Sequence, residues 1–188
     1  MTTRKELAAK RQQQRKTNRI LFIVGGVLIL AAAAFALWGK SPAPAADGPA
    51  QVGQKLKDFS LIDISGNTVR LSDYAGKVVL INAWATWCPP CTAEMPDLNA
   101  YYQAHQEDNF VILAINAGDP ASAAAAFAEE KGLAFPVLLD SNVQVLNSLG
   151  VHSYPTSILV GADGVVKSIH LGMYSMQGLE TEVTPYLP

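Results

Sequence analysis

Two patterns of apolar residues divide this chain. The first is a solid block, Ile20 to Trp38 (ILFIVGGVLILAAAAFALW), nineteen residues with no charge and no strongly polar side chain. As an α-helix it would rise roughly 28 Å, close to the hydrocarbon thickness of a bilayer. This predicts one membrane-spanning anchor over residues 20–38. The alternative is a cleaved signal peptide, for which Ala43–Ala45 (APA) offers small residues. The apolar run exceeds the usual length of a signal core of about 7–15 residues, which favours the uncleaved anchor.

The second pattern starts near Gln51 and consists of short apolar runs separated by turn residues. Around Ser65-Gly66-Asn67, apolar and polar positions alternate, predicting a hairpin of Phe59–Ile62 with Val69–Leu71. Lys77–Trp84 (KVVLINAW) and Asn109–Asn116 (NFVILAIN) are nearly continuous apolar runs, as expected of central strands covered on both faces. Pro89 to about Gln106 reads as a helix opened by prolines, where missing N–H groups cost least. Asp119 and Pro120 read as the cap and first turn of an alanine-rich helix that stops at Gly132. A short strand (FPVLLD), a short helix at Asn142–Leu149, a second hairpin around GADG and a final helix at Ser175–Leu187 complete the domain. Strands alternating with helices and ending in an antiparallel hairpin predict a mixed α/β sheet covered by helices on both faces.

Charge adds orientation. Residues 1–19 carry seven Lys/Arg against one Glu, a net of +6; from Ser41 onward six Lys/Arg face fifteen Asp/Glu, a net of −9. An acidic body argues against nucleic-acid binding. The basic flank places residues 1–19 in the cytoplasm and the body outside. The expected organisation is therefore a tail (1–19), an anchor (20–38), a Pro/Ala-rich linker (39–50) and an extracytoplasmic domain (51–188) in the cell membrane. Outside the cytoplasm a cysteine pair is free to cycle between thiol and disulfide.

The chain has two cysteines, both in WATWCPPC, Trp84–Cys91. Cys88 follows a predicted buried strand and opens a helix, where backbone N–H groups and the helix dipole favour a thiolate. Cys91, one turn on, is placed to attack a mixed disulfide formed at Cys88. A structural staple over so short a loop would add little stability. A zinc site needs four ligands, and His105, His152 and His170 do not stand at ligand spacing from the pair. A copper carrier using both thiols and His152, a thiol peroxidase acting through Cys88, and a general disulfide oxidant or isomerase are the competing functions. Pro89 and Pro90 have no N–H, so among residues 89–91 only Cys91 can donate to a Cys88 thiolate. This predicts a Cys88 pKa lowered less than in an oxidant such as DsbA, hence a reductase. Trp84 reads as core packing. His105 is expected on a solvated helix face, His170 in an edge hairpin, and Thr156 as strand-forming only.

WATWCPPC after a buried strand, with Tyr154-Pro155-Thr156 before a later strand, resembles the thioredoxin superfamily. GKVVLINAWATWCPPCTAEMP and the helix inserted at Pro120–Lys131 resemble its TlpA/ResA-type branch, and the likeness runs from about Val52 to Leu187. The resemblance implies a thioredoxin-like fold with an N-terminal β-hairpin and a central inserted helix. It implies a redox-active Cys88–Cys91 disulfide, with Cys88 the exposed nucleophile and Cys91 the resolving thiol. Pro155 would be a cis-proline facing them, and Trp87, Pro89, Pro90 and Tyr154 would line a substrate groove. Glu94 would tune the cysteines' proton affinity; the carboxylate that thioredoxin buries falls here at Asn82, which cannot ionise. The implied partners are protein disulfides, such as the CxxCH cysteines of apocytochrome c, and a membrane electron donor of the CcdA/DsbD type. No metal or organic cofactor is expected.

Overall fold

The computed structural model describes residues 48–188. The expected basic tail and membrane anchor and most of the expected linker lie outside the described residues; among those described, no helix is long and apolar enough to cross a membrane.

Seven strands form one mixed sheet: β1 (Ser60–Asp63), β2 (Thr68–Arg70), β3 (Val78–Trp84), β4 (Phe110–Ala117), β5 (Val137–Asp140), β6 (Thr156–Val160) and β7 (Val166–Leu171). Their spatial order is β2-β1-β5-β4-β3-β6-β7. Among the described residues four α-helices accompany them, α1 (Pro89–His105), α2 (Ala121–Lys131), α3 (Gln144–Ser148) and α4 (Met176–Glu182). β3 sits inside the sheet next to the central β4, parallel to β4 and antiparallel to β6. All seven residues of β3 and all eight of β4 are buried, which is why both read as nearly continuous apolar runs, interrupted only by Asn82 and Asn116, rather than as alternation.

Side chains alternate across a strand, so Leu80, Asn82 and Trp84 share one face of β3. Asn82 is bonded to Glu94 of α1 and the Trp84 ring lies 4.9 Å from that of Phe127 in α2, so both helices cover that face. α1 also packs on α4. Pro96 sits within α1 without ending it. Gly132 ends α2 in the left-handed conformation at φ 59°, where its N–H reaches the carbonyls of Ala128 and Glu129.

The structure corrects two expectations. Asp119 does not cap the alanine-rich helix: α2 begins after Pro120 with no side-chain cap, and the Asp119 carboxylate is committed elsewhere. The final helix is also shorter than expected. α4 starts after Ser175, whose hydroxyl accepts from the Gly178 N–H, and Thr184–Tyr186 is a separate 3-10 turn. Pro185 cannot donate to a continuing α-helical ladder.

Candidate active site

β3 delivers the chain to a short loop, Ala85–Trp87, and Cys88 is the N-cap of α1 with extended backbone angles (φ −98°, ψ 101°). The two cysteines form a disulfide with their Cα atoms 5.3 Å apart. Cys88 keeps 4 % of its surface exposed and Cys91 none, so Cys88 is the sulfur an outside partner meets first. Pro89 and Pro90 occupy the first two helical positions, and the Cys91 N–H donates to Cys88 Sγ at 3.3 Å. This is the one donor that the double proline leaves within the first turn.

The other residues singled out from the sequence lie on the loop before α1, at the start of α1 and in the turn before β6. The Tyr154–Pro155 bond is cis. The Trp87 ring, 63 % exposed, meets Tyr154 edge-on at 5.9 Å, which joins the loop before Cys88 to the turn before β6. Pro89 and Pro90 are exposed. The Gly172 N–H donates to the Pro155 carbonyl at 3.0 Å, tying the proline turn to the end of β7. Thr156, expected only to favour a strand, also closes this turn by donating from Oγ1 to the Ser153 carbonyl at 2.8 Å. Trp84 is fully buried, as core packing requires.

Glu94 lies one turn beyond Cys91 on α1 and is completely buried. Its Oε1 accepts from Asn82 Nδ2 at 2.8 Å and its Oε2 from the Tyr174 N–H at 2.7 Å. Burial pushes its pKa up to about 6; the Tyr174 N–H, the Asn82 amide and the charge of His170 oppose that rise without cancelling it. His170 is thus more than an edge-strand residue. Its ring stacks on Tyr174 at 3.9 Å and its Nδ1 lies 3.3 Å from Glu182 Oε1. Tyr174 donates from its hydroxyl to Glu182 Oε2 at 2.8 Å, and burial, followed by Glu182, holds its own pKa far above the ordinary tyrosine range.

Sequence reasoning missed a second carboxylate. Asp119 Oδ2 accepts from the Thr86 N–H at 2.7 Å and from Asn116 Nδ2 at 2.7 Å, while Oδ1 accepts from Thr86 Oγ1 at 3.0 Å. It therefore braces the loop that carries Trp87 and Cys88. The available signal was an Asp at the end of one buried strand and a Thr at the end of the neighbouring one, since adjacent parallel strands bring such positions together. His105 is not freely solvated, being paired with Asp108 at 2.8 Å and set against the Tyr101 ring. His152 is exposed. Among the described residues, no group of three or more His, Cys, Asp or Glu is placed to hold a metal ion.

The chain is similar to known proteins over the whole of this region. The sequence profile of the AhpC/TSA family matches residues 52–169. The thiol-disulfide oxidoreductase ResA of Geobacillus kaustophilus is 41% identical over 137 residues, covering 73% of this chain and 79% of that protein. ResA of Halalkalibacterium halodurans is 34% identical over 131 residues, covering 70% and 74%. Among solved structures, the thioredoxin domain of a thiol-disulfide oxidoreductase from Bacteroides vulgatus superposes with a TM-score of 0.66 at 26% identity, covering 73% of this chain and 99% of that one. One from Chlorobium tepidum, assigned as a DsbE-type thiol:disulfide interchange protein, superposes with a TM-score of 0.67 at 29% identity, covering 77% and 99%. The chain belongs to the AhpC/TSA family and, within its thioredoxin-like fold, to the ResA-type thiol-disulfide oxidoreductases.

Proposed function

We propose that this protein is a membrane-anchored, extracytoplasmic reductase of protein disulfides. The observation that carries the reading is the stack along the start of α1. A nearly covered Cys88 stands at the helix end, a fully buried Cys91 behind it, and a buried Glu94 that titrates near pH 6 one turn deeper. In the dithiol form, the Cys88 thiolate attacks a client disulfide, forming a Cys88–client bond and releasing one client thiolate. Cys91 then gives its proton to the Glu94 carboxylate, and its thiolate attacks Cys88 Sγ. The second client thiolate leaves and takes up a proton. Two electrons have passed to the client, and the enzyme is left with the Cys88–Cys91 disulfide.

Pro155, Tyr154, Trp87, Pro89 and Pro90 form the rim against which the client chain lies. Pro89 and Pro90 withhold two N–H groups from the Cys88 thiolate, so the dithiol form is stabilised less than in a strong oxidant. That favours reduction of clients and requires a membrane electron source, which we place in the CcdA/DsbD class. Apocytochrome c, with its CxxCH cysteines, is the client class that the ResA-type relationship suggests.

The test is the reduction potential of the full chain in detergent, equilibrated against glutathione or dithiothreitol and read by tryptophan fluorescence. A value below about −220 mV supports the reductase, whereas one near about −120 mV makes the protein an oxidant of exported thiols.

A further inference from the structure

Asn82 and Ser157 face each other in register across β3 and β6, and both are completely buried. The Asn82 amide nitrogen spends its two hydrogens on Glu94 Oε1 at 2.8 Å and on Ser157 Oγ at 3.1 Å. Its carbonyl oxygen, Oδ1, has no hydrogen-bond partner although it is buried. An unpaired buried acceptor is costly, and here it stands beside a group able to carry a proton. Resting on the reading of Glu94 as the proton-handling group, we propose that Asn82 is a positioning residue that governs the charge state of Glu94, presenting its amide N–H to the carboxylate and, after a half-turn of the amide, its free Oδ1 to the protonated acid.

The hydrogen count explains why two states exist. With Glu94 ionised, Oε1 is held by Asn82 and Oε2 by Tyr174, and Asn82 Oδ1 alone is unmatched. With a proton on Oε1, the acid O–H and the amide N–H become two donors face to face. Turning the amide lets Oδ1 accept from both Glu94 and the Ser157 hydroxyl, at the cost of leaving the amide hydrogens without partners. The cradle therefore favours the carboxylate, while burial favours the acid. Because the two oppose each other, Glu94 stays near the neutral range, able to accept a proton from Cys91 and return it.

The other ionisable groups around Glu94 are accounted for. Cys91 precedes it on α1, and Asp97 follows it there, accepting from the Met176 N–H at 3.0 Å. His170 acts on it from β7 and Tyr174 bonds it from the β7–α4 connection, while Glu182 of α4 is held by both His170 and Tyr174. None of these is bonded to the Asn82 side chain, so a change at Asn82 leaves them in place.

The experiment is the midpoint potential of the full chain followed against pH for the wild type and for E94Q, N82V and S157A. The wild-type plot should change slope where Glu94 titrates, and E94Q should lose that break. N82V should move the break up by about one pH unit or more, since burial is then unopposed by the amide. S157A should move it up by less, because it leaves an amide hydrogen wholly unmatched when Glu94 is ionised, whereas after the half-turn Oδ1 still accepts from the acid. A break that stays put or moves down in N82V and S157A, while E94Q abolishes it, overturns the role of Asn82 and spares that of Glu94. A break that survives E94Q overturns the Glu94 reading and this inference with it. If N82V does not fold, S157A decides alone by the same criterion.

Discussion

The backbone N–H of Thr86 donates to the Asp119 carboxylate at 2.7 Å, joining the loop before Cys88 to the loop after β4. A charged acceptor that satisfies Thr86 and Asn116 together is expensive to remove, because the buried Asn116 amide and the half-buried Thr86 N–H would be left unmatched. Asp119→Ala should lower stability by about 2–3 kcal/mol in denaturant unfolding. It should also ease opening of the loop that carries Cys88, read as a faster disulfide exchange with a small dithiol. An unchanged stability would mean that water replaces the carboxylate without loss.

The proposed roles of the two cysteines, Cys88 as the attacking thiol and Cys91 as the resolving one, predict different behaviour on substitution. Cys91→Ala should accumulate a mixed disulfide between Cys88 and a client, visible as a higher-mass species on non-reducing gels and lost on adding reductant. Cys88→Ala should form none. Trapping through Cys91 in the second variant would reverse the assignment.

Glu94 makes stability depend on pH in an unusual direction. Its folded pKa, about 6, lies above its ordinary value of 4.5 because of burial. Its contribution is therefore fully present below about pH 4.5 and is lost as pH rises through about 6. The difference amounts to roughly 2 kcal/mol. Unfolding measured from pH 4.5 to 7 should show the wild type losing about that much relative to Glu94→Gln, which lacks the titration. Parallel curves for the two proteins would contradict the burial argument.

The two tryptophans of the motif should behave oppositely. Trp84 is fully buried against Phe127, and Trp84→Ala should cost about 3–5 kcal/mol. Trp87 is mostly exposed, and Trp87→Ala should change stability by no more than about 0.5 kcal/mol. Trp87 stands next to the redox pair, so its removal should erase most of the fluorescence change between disulfide and dithiol. Retention of that change in the Trp87 variant would assign the signal to Trp84.

Much of the site was legible because its logic is local. A strand covered on both faces is apolar at nearly every position, so β3 announces itself in LINAW despite Asn82, and a redox pair at a helix start needs only Cys88, Cys91 and the prolines between them. The Tyr154-Pro155-Thr156 turn is likewise three consecutive residues. What the tertiary structure decided lies across large separations. Glu94 meets Asn82 across 12 positions and Tyr174 across 80, and Asn82 meets Ser157 across 75. Those meetings depend on sheet register and on how α1 and α4 settle over it, and neither leaves a mark in the local pattern. Asp119 shows the same limit from the other side. Asp-Pro before an alanine run has the local form of a helix cap, yet Thr86, 33 positions away, lies close enough to take the carboxylate. Sequence spacing determines which groups one turn of helix or strand presents, and only packing determines which distant donor reaches them first.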